Sequence, residues 1–300
     1  MLFRSPGTGA GEAAKLLKDE GVLRLRLPFL LWLRHGRMDR GIQAGEYRFT
    51  GAADPKQVAE KLVRGDIYYR SITIPEGLTA VETVELLARN GFGELGKLRE
   101  TLARTEWIRD LNPAAENLEG YLFPETYRFG RRDDEETIIR TMIRQFRNRM
   151  DKIVKETPLP EGWTVARIIT LASLIEKEAR VDSERAVVSS VLVNRLRRKM
   201  TLGCDATIIY AMKLAGTWNG NIRKADLQMP SPYNSYIHRD LPPGPICNPG
   251  AESIKAALSP AQTDFLYYVS KNDGTHQFSR DLRSHNNAVN RFQRSGRNNR

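Results

Sequence analysis

Residues 229–250, MPSPYNSYIHRDLPPGPICNPG, carry six prolines and two glycines. Proline fixes φ, has no amide proton and clashes with the preceding helical turn, so this run is neither a helix nor a central strand. Tyr233, Tyr236, Ile237, Leu241 and Ile246 give it too much aromatic and apolar surface for a solvated linker. A connection this long inside a domain is uncommon, and ordered loops of this kind often carry binding or catalytic groups. The chain is therefore expected to build a scaffold elsewhere and hold a long ordered loop against it.

The clearest scaffold element is TVARIITLASLIEKEARV, residues 164–181. At 100° per residue Ile168, Leu171, Ala172, Ile175 and Ala179 share one helical face, with Lys177 opposite. Glu176 stands on the shoulder of that stripe, beside Ala172 and Ile169. A carboxyl group at such an edge is partly desolvated, and desolvation favours the protonated form that a general acid needs near neutral pH. The position equally suits a solvated rim residue paired with Lys177 or Arg180, and periodicity does not choose between them. Further helices are expected over 134–151 and 182–200, the second with Asp182 or Ser183 as N-cap.

The first third holds a faint repeat. EAAKLLKDEGV (12–22) and ETVELLARNGF (82–92) share the frame E-x-x-x-LL-x-x-x-G. Each predicts a helix closed by a glycine, Gly21 or Gly91, and follows a turn at Pro6-Gly7 or Pro75-Glu76-Gly77. Between them lie a strand at 45–50, a helix opened by Asp54 and Pro55 and ended by Gly65, and an alternating strand at 70–74. LPFLLWL (27–33), bracketed by arginines, predicts a piece of core helix. No run reaches the roughly 18 apolar residues that span a bilayer. The opening MLFRSPGTGAGEAAK has no signal-peptide centre, so the sequence taken literally reads as cytoplasmic. Short strands between such helices are similar to LysM-like modules, which bind N-acetylglucosamine polymers. Residues 92–117 predict a mostly helical connection.

The formal net charge of +11 implies affinity for polyanions: nucleic acid, anionic lipid heads or a carboxylate-rich cell wall. Nucleic acid is set aside, because the arginine-rich stretch 140–149 has no interleaved aromatic platform and no binding motif accompanies it. Cys204 and Cys247 form no metal-ligand spacing; they could pair in an oxidising compartment or stay as two buried thiols. No phosphate-binding glycine loop or nucleophile elbow is present, and His35, His238, His276 and His285 make no recognisable triad. No cofactor or metal is expected. The remaining chemistry is Glu176 and the proline-rich loop. There Tyr233 and Tyr236 offer flat faces to pyranose rings, and Asn234 and Asn248 offer amides to hydroxyl and N-acetyl groups. Glu125, Glu178 and Asp205 are the carboxylates that could stand opposite Glu176 across a glycosidic bond.

Taken in order, LEGYLFPETYRF (118–129), LASLIEKEA (171–179), VLVNRL (191–196), LGCDATIIYAM (202–212) and SPYNSYIHRDLPPGPICNPG (231–250) resemble the YceG-like (MltG) family of endolytic murein transglycosylases. LYYV and HQF near the C-terminus continue the match. The resemblance implies an α+β fold, with LysM-like structure over 1–92 and a YceG-like catalytic domain over 93–300. It implies Glu176 as the catalytic residue, with Glu125, Asp205, Tyr233, Asn234, Tyr236 and Asn248 in substrate binding and Glu178 in a structural role. It implies cleavage of the β-1,4 bond between N-acetylmuramic acid and N-acetylglucosamine in nascent strands, forming 1,6-anhydro ends and limiting strand length. Glu176 would protonate the departing oxygen and then take the proton of the muramyl C6 hydroxyl as that oxygen attacks C1. The tethered nucleophile has a high effective concentration, so no activated water is required.

The implied partners are peptidoglycan strands and cell-wall synthases of the penicillin-binding type. The implied location is the inner membrane, single-pass, with the catalytic domain on the periplasmic side. The anchoring helix in this family precedes the stretch matching 3–8, so it is expected ahead of this sequence. Ala206 stands where a proline often follows the aspartate. The alternative of another class is a non-catalytic peptidoglycan-binding or scaffold protein resting on the LysM-like portion.

Overall fold

The computed structural model describes residues 2–4, 8–36 and 41–294. The fold is α+β and divides into two compact units: Met1–Ile72 with Thr126–Asp134, and Thr73–Glu125 with Glu135–Arg300.

In the first unit β1 (Leu2–Arg4) pairs antiparallel with β2 (Gly45–Tyr47), with Leu2 opposite Tyr47. Three helices follow one another around a small core: α1 (Ala10–Asp19), α2 (Arg26–His35) and α3 (Pro55–Arg64). Leu17, Leu23, Phe29, Leu33, Tyr47, Val58 and Leu62 form that core. The start of α3 is as expected: Asp54 Oδ1 accepts from Lys56 N at 2.9 Å, and Pro55 occupies the first position, where its missing N–H costs nothing. Gly65 ends α3 at φ 68°, a left-handed conformation that glycine adopts without strain. The apolar run in α2 behaves as a core helix on one side only. Phe29 and Leu33 are buried, whereas Leu27 and Leu31 are 65% and 58% exposed. The sheet of β3 (Arg70–Thr73) and β4 (Thr126–Phe129) completes the strands of this region. The Pro6-Gly7 turn lies outside the described residues.

The second unit begins earlier in the chain than the boundary after residue 92 drawn from sequence. Its first helix, α4 (Ala80–Arg89), is the second copy of the repeat. The shared frame encodes an amphipathic helix and says nothing about which core receives it. Here Val84 and Leu87 are buried, α4 packs on α5 (Leu95–Thr101), and Ala80 N donates to Glu119 at 2.8 Å. Thr79 and Glu82 form a reciprocal capping box at its start. The connection after α5 is mostly turns, with one short 3₁₀ segment at Thr105–Trp107.

The rest of this unit is α6 (Glu135–Glu156), α7 (Val165–Glu178), α8 (Arg185–Arg197), α9 (Asp205–Leu214), α10 (Ala251–Leu258), the hairpin β5 (Tyr267–Ser270) and β6 (His276–Ser279), and α11 (Leu282–Val289). The last runs into a π-helical turn at Asn290–Arg294; the basic tail beyond it lies outside the described residues. α7 is the central helix. Its residues from Ile168 to Ile175 are all buried, including Thr170 and Ser173, so it is enclosed on all sides rather than along one stripe. α8, α9 and α10 all pack against it. The helix expected over 182–200 is broken at its start: Asp182–Glu184 is a 3₁₀ turn, and Asp182 pairs with Arg185 instead of capping.

The proline-rich segment forms no helix or strand beyond the 3₁₀ turn ahead of it, yet Pro242 and residues 244–250 are buried. Ile246 N donates to Ser173 Oγ at 3.1 Å, fastening the loop to the middle of α7. Both cysteines are free and buried, and burial raises each thiol well above its usual range.

Candidate active site

α7 starts where Thr164 Oγ1 accepts from Arg167 N and ends at Ala179, whose backbone is extended. Its last turn carries Glu176, whose side chain is only 7% exposed. Three segments converge on that carboxyl group. The end of the proline-rich loop brings Gly250, the N-cap of α10, whose N–H donates to Glu176 Oε2 at 3.0 Å. An unpaired amide at a helix start is a natural partner for a carboxylate. The first residue of α8 brings Arg185, with Nη2 3.7 Å from Glu176 Oε1. The turn before α4 brings Glu76, whose Oε2 lies 4.0 Å from the same Arg185 nitrogen.

The turn is held close by backbone geometry. Gly77 has φ 76°, and a β-carbon there would lie 3.6 Å from Glu176 Cγ. Lys177 Nζ donates to Gly77 O at 3.1 Å, so this lysine ties the turn to α7 rather than facing solvent alone. Gly250 matters for a different reason. A β-carbon on it would fall 2.0 Å from Glu76 Oε1, so the carboxylate of Glu76 occupies the space that glycine leaves open. Burial, chiefly, and then the charge of Glu176 raise the Glu76 carboxyl above its usual range, against the lowering effect of Arg185. Arg185 itself is fixed by Ser253 Oγ, which accepts from its Nε at 3.1 Å, and by Asp182.

Of the loop side chains singled out in the sequence, Asn248 is nearest to this cluster in the chain, and it works as a staple. Its Oδ1 accepts from Leu122 N at 2.9 Å, its Nδ2 donates to Leu78 O at 3.0 Å, and its carbonyl accepts from Gly77 N at 2.9 Å. One buried amide thus ties the Glu76 turn, the LEGYLF segment and the Gly250 loop together. Asn234 is also fully buried, and its amide donates to Leu227 O and Met229 O while Tyr236 N donates to its Oδ1. Tyr236 donates its hydroxyl to Asp205, in the first turn of α9. Tyr233 packs against Tyr210 with ring centroids 4.9 Å apart and lines a cleft of about 270 Å³ beside Pro232, Pro243 and Pro245. Glu125 is paired with Arg149 at 2.5 Å and accepts from Gln145. Glu178 accepts from the Tyr268 hydroxyl at 3.0 Å, and burial pushes its carboxyl up to about 7.

None of the three carboxylates weighed from sequence as a counterpart stands in the cluster around Arg185; Glu76 does. The proline-glycine turn that carries Glu76 is visible in the sequence, but only as punctuation before a helix. Nothing local in the chain indicates that it closes on residues 100 and 174 positions later. Gly250 and Arg185 were likewise invisible as site residues.

Comparisons with known proteins agree on the family. The YceG-like family model matches residues 5–291. An endolytic murein transglycosylase of Bacillus subtilis strain 168 is 32% identical over 302 residues, covering 95% of this chain and 82% of that protein. One from Streptococcus pneumoniae strain R6 is 27% identical; the match covers 88% of this chain and 53% of that relative, about half its length. A crystal structure of a YceG-like protein from Listeria monocytogenes superposes with a TM-score of 0.64 at 28% identity, covering 96% of this chain and 98% of that one. With a match running through nearly its whole length and the same fold in a solved relative, this chain belongs to the YceG-like family.

Proposed function

We propose that this chain is a lytic endotransglycosylase of peptidoglycan, with Glu176 as its acid and base. The observation that carries this reading is the enclosed Glu176 carboxyl at the meeting of α7, α8 and the start of α10, held by the Gly250 amide and faced by Arg185. The names of the Bacillus and Streptococcus relatives support it. In this reading protonated Glu176 donates to the glycosidic oxygen as the bond to C1 breaks. The 2-acetamido carbonyl covers C1, the muramyl C6 oxygen then displaces it, and Glu176 recovers the proton from that oxygen. One carboxyl group is neutral, then charged, then neutral again, and the product is a 1,6-anhydro end.

The loop residues divide in this reading. Tyr233 and Tyr236 supply the faces on which sugar rings rest, and Asp205 orients Tyr236. Asn234 and Asn248 act through the loop shape they fix, and Glu125, paired with Arg149, is kept as a further substrate-binding residue. Residues 1–92 are the LysM-like, glycan-binding part in this reading. No described helix is long and apolar enough to cross a membrane. By family resemblance, the proposed place of action is the periplasmic face of the inner membrane. Cell-wall synthases are the proposed partners.

The test is muropeptide analysis of purified sacculi treated with wild type and with Glu176→Gln. Wild type is expected to generate new anhydro ends and the variant almost none, with circular dichroism unchanged. Sacculus binding without new anhydro ends from the wild type overturns the reading in favour of a binding protein. Undiminished release by the variant overturns the assignment of Glu176.

A further inference from the structure

The single-carboxyl scheme balances, but with only one negative group near the developing cation. Positive charge develops at C1 and on the acetamido group as the glycosidic bond breaks, while Glu176 is still giving up its proton. Glu176 becomes a counter-ion only as that proton leaves, so a second carboxylate would stabilise the early part of the step. A carboxylate close by and reachable by substrate would serve, and Glu76 has both properties. Its side chain is 47% exposed where that of Glu176 is 7% exposed. The two carboxylates approach the same Arg185 nitrogen within 4.0 Å and 3.7 Å. They are thus less than about 8 Å apart, in the range over which paired carboxylates act on one glycosidic bond.

We propose that Glu76 is a second catalytic residue, whose carboxylate accepts the acetamido N–H of the muramyl ring and stabilises the oxazolinium-like charge at C1. This rests on the transglycosylase reading above. In the step, Glu176 gives its proton to the departing oxygen and the C1–oxygen bond breaks as the acetamido carbonyl oxygen bonds to C1. The C6 oxygen then bonds to C1, the carbonyl oxygen leaves, and the C6 proton passes to Glu176. Glu76 is ionised throughout and exchanges no proton. Arg185 offsets part of the repulsion between the two acids and aims Glu76 from the buried side, fixed by Ser253 and Asp182. The absence of a side chain at Gly250 leaves the carboxylate its place.

A pH dependence follows. The charged groups acting on Glu76 are Glu176 from α7, Arg185 from α8, Asp182 from the turn before it and Glu252 from α10. Burial and the three acids outweigh Arg185, so Glu76 protonates at higher pH than an ordinary glutamate. Activity that needs ionised Glu76 is full above that point and is lost as pH falls through it.

The experiment compares wild type, Glu76→Gln, Glu76→Asp and Gly250→Ala on a defined glycan strand. It measures kcat and KM against pH, together with binding of a muramyl thiazoline as a mimic of the cyclised acetamido group. Glu76→Gln is expected to lower kcat about 100-fold with little change in KM, as for removal of one transition-state partner, and to abolish the acid limb of the profile. Thiazoline binding should weaken with it, and Glu76→Asp should restore part of each loss. Gly250→Ala keeps the amide on Glu176 but places a methyl group where the Glu76 carboxylate lies, so it should reproduce the loss in kcat. The proposal is overturned if Glu76→Gln keeps both its kcat and its acid limb, or loses kcat with thiazoline binding intact. If wild type releases no anhydro ends, the parent reading has failed. The thiazoline comparison between wild type and Glu76→Gln then still decides whether Glu76 contacts an acetamido group.

Discussion

Glu176 and Glu178 lie two residues apart at the end of α7, and their partners come from different parts of the chain. Glu176 is met by a backbone amide and a guanidinium that it shares with Glu76. Glu178 is met by the Tyr268 hydroxyl, with Cys204 and Arg195 beside it, and burial lifts it to about 7. Two residues on a helix are separated by about 200°, so neighbours in sequence face different surroundings. One acid sits where a backbone amide, a guanidinium and a second carboxylate meet, at a turn and two helix starts. The other is an interior polar group whose main partner is a strand of the C-terminal hairpin.

Converting each acid to its amide is the strongest way to break this contrast. Glu176→Gln is expected to reduce release of anhydro-muropeptides by about 1,000-fold, since it removes the only proposed proton carrier. Glu178→Gln keeps an acceptor for Tyr268 and should stay close to wild-type activity in the same chromatographic assay. Equal losses in the two variants would erase the division of roles.

The pH response of stability sharpens the contrast next. Glu178 at about 7 and Glu119 at about 8 both lie above the ordinary carboxyl value of 4.5. The folded protein holds protons that the unfolded chain releases. The stability these groups contribute is therefore complete below about pH 4.5 and is lost as pH rises through about 7 and 8, at about 1.4 kcal/mol per pH unit for each group. Urea midpoints measured between pH 5 and 8.5 should fall with rising pH, and Glu178→Gln should flatten the lower part of that decline. A midpoint indifferent to pH would mean that neither acid is protonated in the fold.

The smallest expected effect belongs to Tyr268→Phe. It leaves a buried carboxyl short of one donor and should cost about 1–3 kcal/mol in urea unfolding, with activity per folded molecule preserved. Loss of activity without loss of stability would instead join Glu178 to the chemistry.

Much of the fold was legible in the chain. The helix starting at Asp54-Pro55, the glycine stops at Gly21 and Gly65, most of the long helix of 135–156 and the helix bearing Glu176, though not its burial on all sides, follow from local rules. The ordered proline-rich loop was legible because proline excludes the alternatives. Less legible was what each helix packs against. The repeat frame recurs in α1 and α4, yet the two helices belong to different compact units. The run in α2 showed its hydrophobicity but not that Leu27 and Leu31 stay exposed.

The candidate site divides along the same line. The sequence by itself determined that a carboxyl group would stand at the edge of a helix's apolar face and that a long loop rich in proline would be ordered. Helical periodicity and proline stereochemistry act over a few residues, so they can be read there. Only the tertiary structure decided that Glu76, Arg185 and Gly250 surround that carboxyl group, and that Asn248 staples the segments which bring them. These partners are set by packing and by hydrogen bonds between positions far apart in the chain, and no local propensity encodes a contact of that kind.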